Sequence, residues 1–161
     1  MTEAQREKPR AHPRIKKAVI SARRWDIKLA GGDQPVGSIV DRVARIREGV
    51  PSRVFVEVSK HVGLAQGELA KKLRLSARTM SGRIAKPQTK LKPEESEKVL
   101  RVQQIFEQAR RVFGSKEQAR EWLMNSAHGL EGQRPIDLLD TELGGTQVRE
   151  YLGAIEYGNY W

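Results

Sequence analysis

The chain is predicted to be all-α, with a helix-turn-helix in a basic first part and a second helical unit at its acidic end. Three observations predict this. Residues 62–84, VGLAQGELAKKLRLSARTMSGRI, read as two short helices joined by a tight turn. Apolar residues recur at three- and four-residue spacing through most other segments, and no stretch alternates convincingly as a half-buried strand would. The net charge of +10 is segregated along the chain rather than mixed.

That segregation divides the protein. Residues 1–28 carry nine Lys/Arg against three Asp/Glu, and residues 51–92 carry ten against two. Residues 93–161 carry eight against twelve. A basic part joined to an acidic one implies two partners, a polyanion for the first and something else for the second. The 161 residues suffice for one large or two small domains with a sizeable core. With no cysteine there is no disulfide framework and no thiolate chemistry, which fits a reducing cytoplasm. No apolar run approaches the ~20 residues that span a bilayer, so no membrane role is expected.

Taken in order, residues 1–35 contain Pro9, Pro13, Pro35 and the pair Gly31-Gly32, and read as a basic, partly disordered arm. Trp25 is expected to dock on the body. Residues 36–92 form the helix-turn-helix domain. Its first helix has Ile39, Val40, Val43 and Ile46 on one face and ends near Gly49; Pro51 opens the next, which carries Val54, Phe55, Val58 and Val62. Pro93 starts the longest helix, 93–113, with Glu94 and Glu95 complementing its dipole. Its seam of Val99, Val102, Phe106, Ala109 and Phe113 looks too wide for one small domain to cover, so a homodimer is expected. Residues 114–161 form the last unit: a helix restarted by the capping box Ser115–Gln118, a loop, a short Pro-initiated turn and a final helix from near Gly145. Gly158 should close that helix, leaving Asn159, Tyr160 and Trp161 as an aromatic tag with a terminal carboxylate.

Within the helix-turn-helix, Leu69 and Leu73 face inward from the first helix and Met80 and Ile84 from the second, with Ser76 as its N-cap. Arg78, Thr79, Ser81, Gly82 and Arg83 lie between the inward positions. Arg78, Thr79, Ser81 and Arg83 therefore form the candidate DNA-reading set, joined by Lys86 and Lys90 from the basic connector that follows. Arg74 stands where such turns usually place Gly, at a cost of about 1 kcal/mol.

Catalytic chemistry finds no foothold. His12, His61 and His128 are far apart, the serines lack a triad context, and neither a GxGxxG nor a Walker pattern occurs. Gly31-Gly32 and Gly144-Gly145 read as turns between helices. No catalytic residue, metal site or cofactor is expected.

Two stretches carry a family resemblance. GLAQGELAKKLRLSARTMSGRI followed by LKPEESEKVLRV resembles the helix-turn-helix half of the Xre/MbcA/ParS-type antitoxins. VFGSKEQAREWL with GLEGQRPIDLLDTELGGTQVREYLGAIEYG resembles their C-terminal toxin-binding domain. The two matches span about residues 40–158, and the second is the more specific, being a long spaced pattern. The resemblance implies a type II antitoxin whose C-terminal domain covers the NAD-binding cleft of a RES-domain toxin, and whose N-terminal half dimerises and binds operator DNA. Arg149, Glu156, Tyr157, Gly158, Asn159, Tyr160 and Trp161 are the expected toxin-binding residues. The aromatic density agrees: five of the chain's nine aromatics fall within residues 122–161. Two other readings remain, a stand-alone repressor whose acidic part only dimerises, and an adaptor whose basic part binds RNA or acidic proteins.

Overall fold

Pro93 launches the longest helix, on which four of the other helices pack. The computed structural model describes residues 39–158; the basic arm with Trp25, and Asn159, Tyr160 and Trp161, lie outside the described residues. Among the described residues seven α-helices follow in order: α1 (Ile39–Glu48), α2 (Ser52–Val62), α3 (Gln66–Lys72), α4 (Ala77–Ile84), α5 (Pro93–Phe113), α6 (Lys116–Met124) and α7 (Glu142–Glu156). Two 3-10 turns, His128–Leu130 and Pro135–Leu138, lie between α6 and α7. The only β pairing among the described residues is an isolated bridge between Pro51 and Lys90, so the chain is all-α as expected.

The local signals act as predicted at most ends. Ser76 Oγ accepts from the Thr79 amide at the start of α4, and Ser115 caps α6 by accepting from the Gln118 amide. Gly114 ends α5 with φ 85°, and Gly158 follows α7 with φ 71°. Arg74 does adopt the left-handed conformation, φ 53°. Pro51 sits one residue earlier than expected, as the N-cap of α2 rather than inside it.

Two expectations need correction. The final helix begins at Glu142, not near Gly145, because Thr141 Oγ1 accepts from the Gly144 amide and supplies the cap. Gly144 and Gly145 are thus helical residues, not a turn. Their lack of side chains serves close approach instead: a Cβ at Gly144 would lie 2.0 Å from the Leu138 carbonyl oxygen, and one at Gly145 would lie 2.5 Å from Arg101 Cδ.

The second correction concerns the α5 seam. Val99, Val102, Ile105, Phe106 and Ala109 are all buried within the single chain, because α1, α2, α6 and α7 surround α5. One core therefore runs from Val50 to Leu152 through both halves. The width of the seam is satisfied by the second half of the same protein and gives no reason for a dimer. Apolar side chains stay uncovered on α1, where Ile39 and Val40 are 76% and 69% exposed and no residue is buried, and at Leu143 in the first turn of α7.

The two halves are also tied by polar contacts. Arg101, buried in α5, donates to the Leu139 carbonyl at 3.1 Å and pairs with Glu142 and Glu97 at 2.8 and 2.9 Å. Arg120 of α6 donates to the carbonyls of His61 and Lys60, capping the end of α2. At the helix-turn-helix turn, Lys72 Nζ lies 2.6 Å from Asp137 and Arg74 Nε lies 3.1 Å from Asp140. Partial burial opposes the charge on Asp137, but its hydrogen bonds and charge interactions with Lys72 and Arg134 outweigh that, and its pKa falls below 3.8. A depressed carboxylate contributes stability that is complete above its unfolded value and is lost as pH falls through the folded one. Asp137→Asn should therefore lower the urea midpoint at pH 7, and the two midpoints should converge as pH drops below 3.8. A constant gap between them as the pH is taken well below that value would disprove the contribution of the charge.

Candidate functional site

The first candidate surface is the outward face of α4. Leu69, Leu73 and Met80 are buried and Ile84 is half-buried, which fixes α3 and α4 against the core and turns the intervening positions outward. Arg78, Thr79, Ser81 and Gly82 are exposed. Thr79 also serves the helix start, its Oγ1 lying 3.0 Å from Ser76 Oγ. Lys86 is exposed, while its backbone is held by Ser52 Oγ, which donates to the carbonyls of Arg83 and Lys86. Lys90 is exposed and loosely faces Glu48 at 3.8 Å.

Arg83 is placed differently from the rest. Its guanidinium pairs with Glu95 in the first turn of α5, and its side chain is only 17% exposed. Glu95 also accepts from the Lys92 amide at 2.7 Å, closing the cap of α5. Arg83 is thus a strut joining α4 to α5, not the freely presented arginine that its helical position suggests. Its partner lies twelve residues away across a non-helical connector, a distance at which helical spacing carries no information. Arg78 remains the exposed cation of α4, with no ion pair among the described residues.

The second surface is the end of α7. Glu156 and Tyr157 are exposed, Tyr157 at 65%, and Gly158 turns the chain out of the helix. Behind them, Tyr151 stacks on Trp122 at a centroid separation of 6.4 Å, and Trp122 meets Phe113 in a tilted pair at 5.5 Å. These three are half-buried packing residues. Gly129 in the loop after α6 lies against the Tyr151 ring so closely that a Cβ would fall 2.2 Å from it. That contact seats the loop on α7.

Arg149 stands apart from this end, two turns back, roughly 10 Å along the helix. It lines a groove between α1, α5 and α7, 4.0 Å from Glu142, and its carbonyl accepts from Gln108. The structure therefore divides the residues expected to bind a toxin between two places. The groove itself is not legible in the sequence, since its walls come from helices well separated along the chain.

Among the described residues no three His, Asp or Glu side chains are grouped to hold a metal, and no helix is long and apolar enough to cross a membrane.

Comparison with known proteins assigns both halves. Residues 41–104 match the family model for the antitoxin Xre-like helix-turn-helix domain, and residues 108–158 match the antitoxin Xre/MbcA/ParS C-terminal toxin-binding domain. The boundary between the matches falls inside α5, the helix on which elements of both halves pack. The antitoxin Xre of Photorhabdus laumondii is 27% identical over 116 residues, covering 71% of this chain and 78% of the relative. That of Pseudomonas putida is 32% identical over 114 residues, covering 71% and 70%. That of Yersinia enterocolitica is 30% identical over 103 residues, covering 63% and 62%. With both domains matched in order and a relative aligned over most of its length, the chain belongs to the Xre-type antitoxins of toxin–antitoxin systems.

Proposed function

We propose that this antitoxin neutralises a RES-domain toxin, one that degrades NAD or uses it to modify a target, by covering its NAD-binding cleft with the end of α7. The observation that carries the reading is the match of residues 108–158 to a toxin-binding domain, in a structure whose last helix presents Tyr157 and Glu156 outward beside a left-handed Gly158. Tyr157, Gly158, Asn159, Tyr160 and Trp161 form the inhibitory end in this proposal. A dinucleotide cleft offers apolar or aromatic walls to bases and donors to phosphates. Aromatic rings flanked by Glu156 can occupy such a cleft without any chemistry of their own. The protein acts by occupation and is not an enzyme in this scheme, and it needs no cofactor. Its place of action is the cytoplasm.

The same protein would repress its own operon. Arg78, Thr79, Ser81, Lys86 and Lys90 make up the proposed operator-contacting set, with Arg83 supporting α4 from behind. A homodimer would present two α4 helices to a palindromic site, and the exposed Ile39 and Val40 on α1 are its proposed contact.

One set of variants tests both parts. Replacing Tyr157, Tyr160 and Trp161 together by Ala should abolish protection against the co-expressed toxin, whose gene should adjoin this one, and restore NAD consumption in the purified mixture. Operator binding should be unchanged. Arg78→Ala should do the reverse, weakening operator binding by about 1–3 kcal/mol while toxin inhibition stays intact. A triple variant that still silences the toxin disproves the plug. Operator affinity that is independent of salt disproves phosphate neutralisation, for which each contact contributes a slope near −0.9.

A further inference from the structure

We propose that the groove between α1, α5 and α7 is a second contact surface for the toxin, and that it receives an extended acidic segment with aliphatic side chains. This rests on the toxin-binding reading above but concerns a different place from the α7 end. The groove encloses about 760 Å³ and has Ile46 and Leu100 among its apolar lining. Its lining charges are unequal in availability. Glu97 and Glu142 are held by Arg101 at 2.9 and 2.8 Å, and Glu107 by Arg110 at 2.8 Å. Arg42 and Lys116 make no ion pair among the described residues, and Arg149 has only the 4.0 Å contact to Glu142. The surplus is therefore cationic, although it lies largely on the domain whose overall charge is negative.

Helix stability does not account for these cations. Lys116 is the first residue of α6, and Arg42 lies in the fourth position of α1. Both stand near the positive end of a helix dipole, where a cation is mildly destabilising. Neither packs in the core.

The spread of the groove selects its occupant. The lining positions Glu97 to Arg111 run along α5 for about 20 Å, at 1.5 Å per residue, too far for a single small anion to bridge. Duplex DNA carries one charge per ~1.7 Å and would set phosphates against the lining carboxylates and the apolar floor. The chain's own arm, with nine cations against three carboxylates in residues 1–28, would be repelled. A protein segment can instead space two or three carboxylates to meet Arg42, Lys116 and Arg149, with aliphatic side chains between them on Ile46 and Leu100.

The test uses the full chain and a catalytically inactivated form of the RES-domain toxin encoded beside it. Arg42→Glu with Lys116→Glu should weaken toxin binding at least tenfold by calorimetry, chiefly through slower association, and flatten its dependence on salt. The melting temperature should be unchanged or slightly raised, since both substitutions suit their helix starts. The pair Arg42→Lys and Lys116→Arg should keep the affinity. Equal toxin affinity in the charge-reversed and unaltered chains overturns this inference while leaving the α7 plug standing. Unaltered toxin binding with weakened operator binding reassigns the groove to nucleic acid, and a changed oligomeric state reassigns it to a second copy; both overturn it. Failure of the unaltered chain to bind the toxin removes the inference together with the reading on which it rests.

Discussion

Phe106→Glu is expected to abolish the cooperative fold. Phe106 is 1% exposed at the middle of α5 and stacks on His61 at a centroid distance of 6.3 Å. Removing its ring alone should cost on the order of 3–5 kcal/mol, as large-to-small core substitutions do. An unpaired carboxylate in the same place adds several kcal/mol more. Together these reach the ~5–15 kcal/mol of a typical domain's whole stability. Because the site is internal to one chain, the loss should not depend on protein concentration. Circular dichroism melts at low and high micromolar protein check this: the variant should show no cooperative transition at either. A variant that melts cooperatively as a monomer would place the α5 seam at a subunit contact after all. Phe106→Leu is the matching mild change, expected to cost about 1–2 kcal/mol because most of the apolar volume is kept.

The second large effect is one of sign. Gly→Ala inside a helix ordinarily stabilises by up to about 1 kcal/mol, because Ala restricts the unfolded chain and favours helical backbone. Gly153 of α7 has nothing within 4 Å of the position a methyl group would take, so Gly153→Ala should follow that rule. Gly144, in the first turn of the same helix, should break it. There the methyl would fall 2.0 Å from the Leu138 carbonyl oxygen and 2.9 Å from its carbon. Backbone cannot swing away as a flexible side chain can, so α7 must shift from the preceding 3-10 turn. Overpacking of this kind costs about 1–3 kcal/mol, and somewhat more where the obstacle is main chain. Urea midpoints of the two variants should move in opposite directions. If Gly144→Ala is as stable as the unaltered protein, the close packing of the 3-10 turn on α7 is not a constraint.

The candidate site was only partly legible in the sequence. Ser76, Leu69, Leu73 and Met80 announce the helix-turn-helix through capping and spacing, which are local properties, and the structure places them accordingly. Arg78 follows from them, since an outward position is fixed once the inward ones are known. Arg83 shares that helical face in the sequence but not its role, because Glu95 comes from a different helix. Gly144 and Gly145 mislead for a related reason. A glycine pair reads as a turn unless the atoms that would collide with a side chain are known, and those belong to Leu138 and Arg101.

Local chemistry in the chain thus determined the all-α class, the ends of most helices, the helix-turn-helix and the division into a basic and an acidic part. Capping and periodicity act within about one helical turn, and that range is what a sequence displays directly. Tertiary structure alone decided that α5 is shared by both domains, that its apolar seam is covered within one chain, and that Ile39 and Val40 of α1 stay uncovered. It also decided which cations are engaged: Arg101 and Arg83 are held by carboxylates, while Arg78, Arg42 and Lys116 have no ion pair among the described residues. Pairing between charges depends on distance in space, and helices remote in sequence set that distance when they pack on a common core.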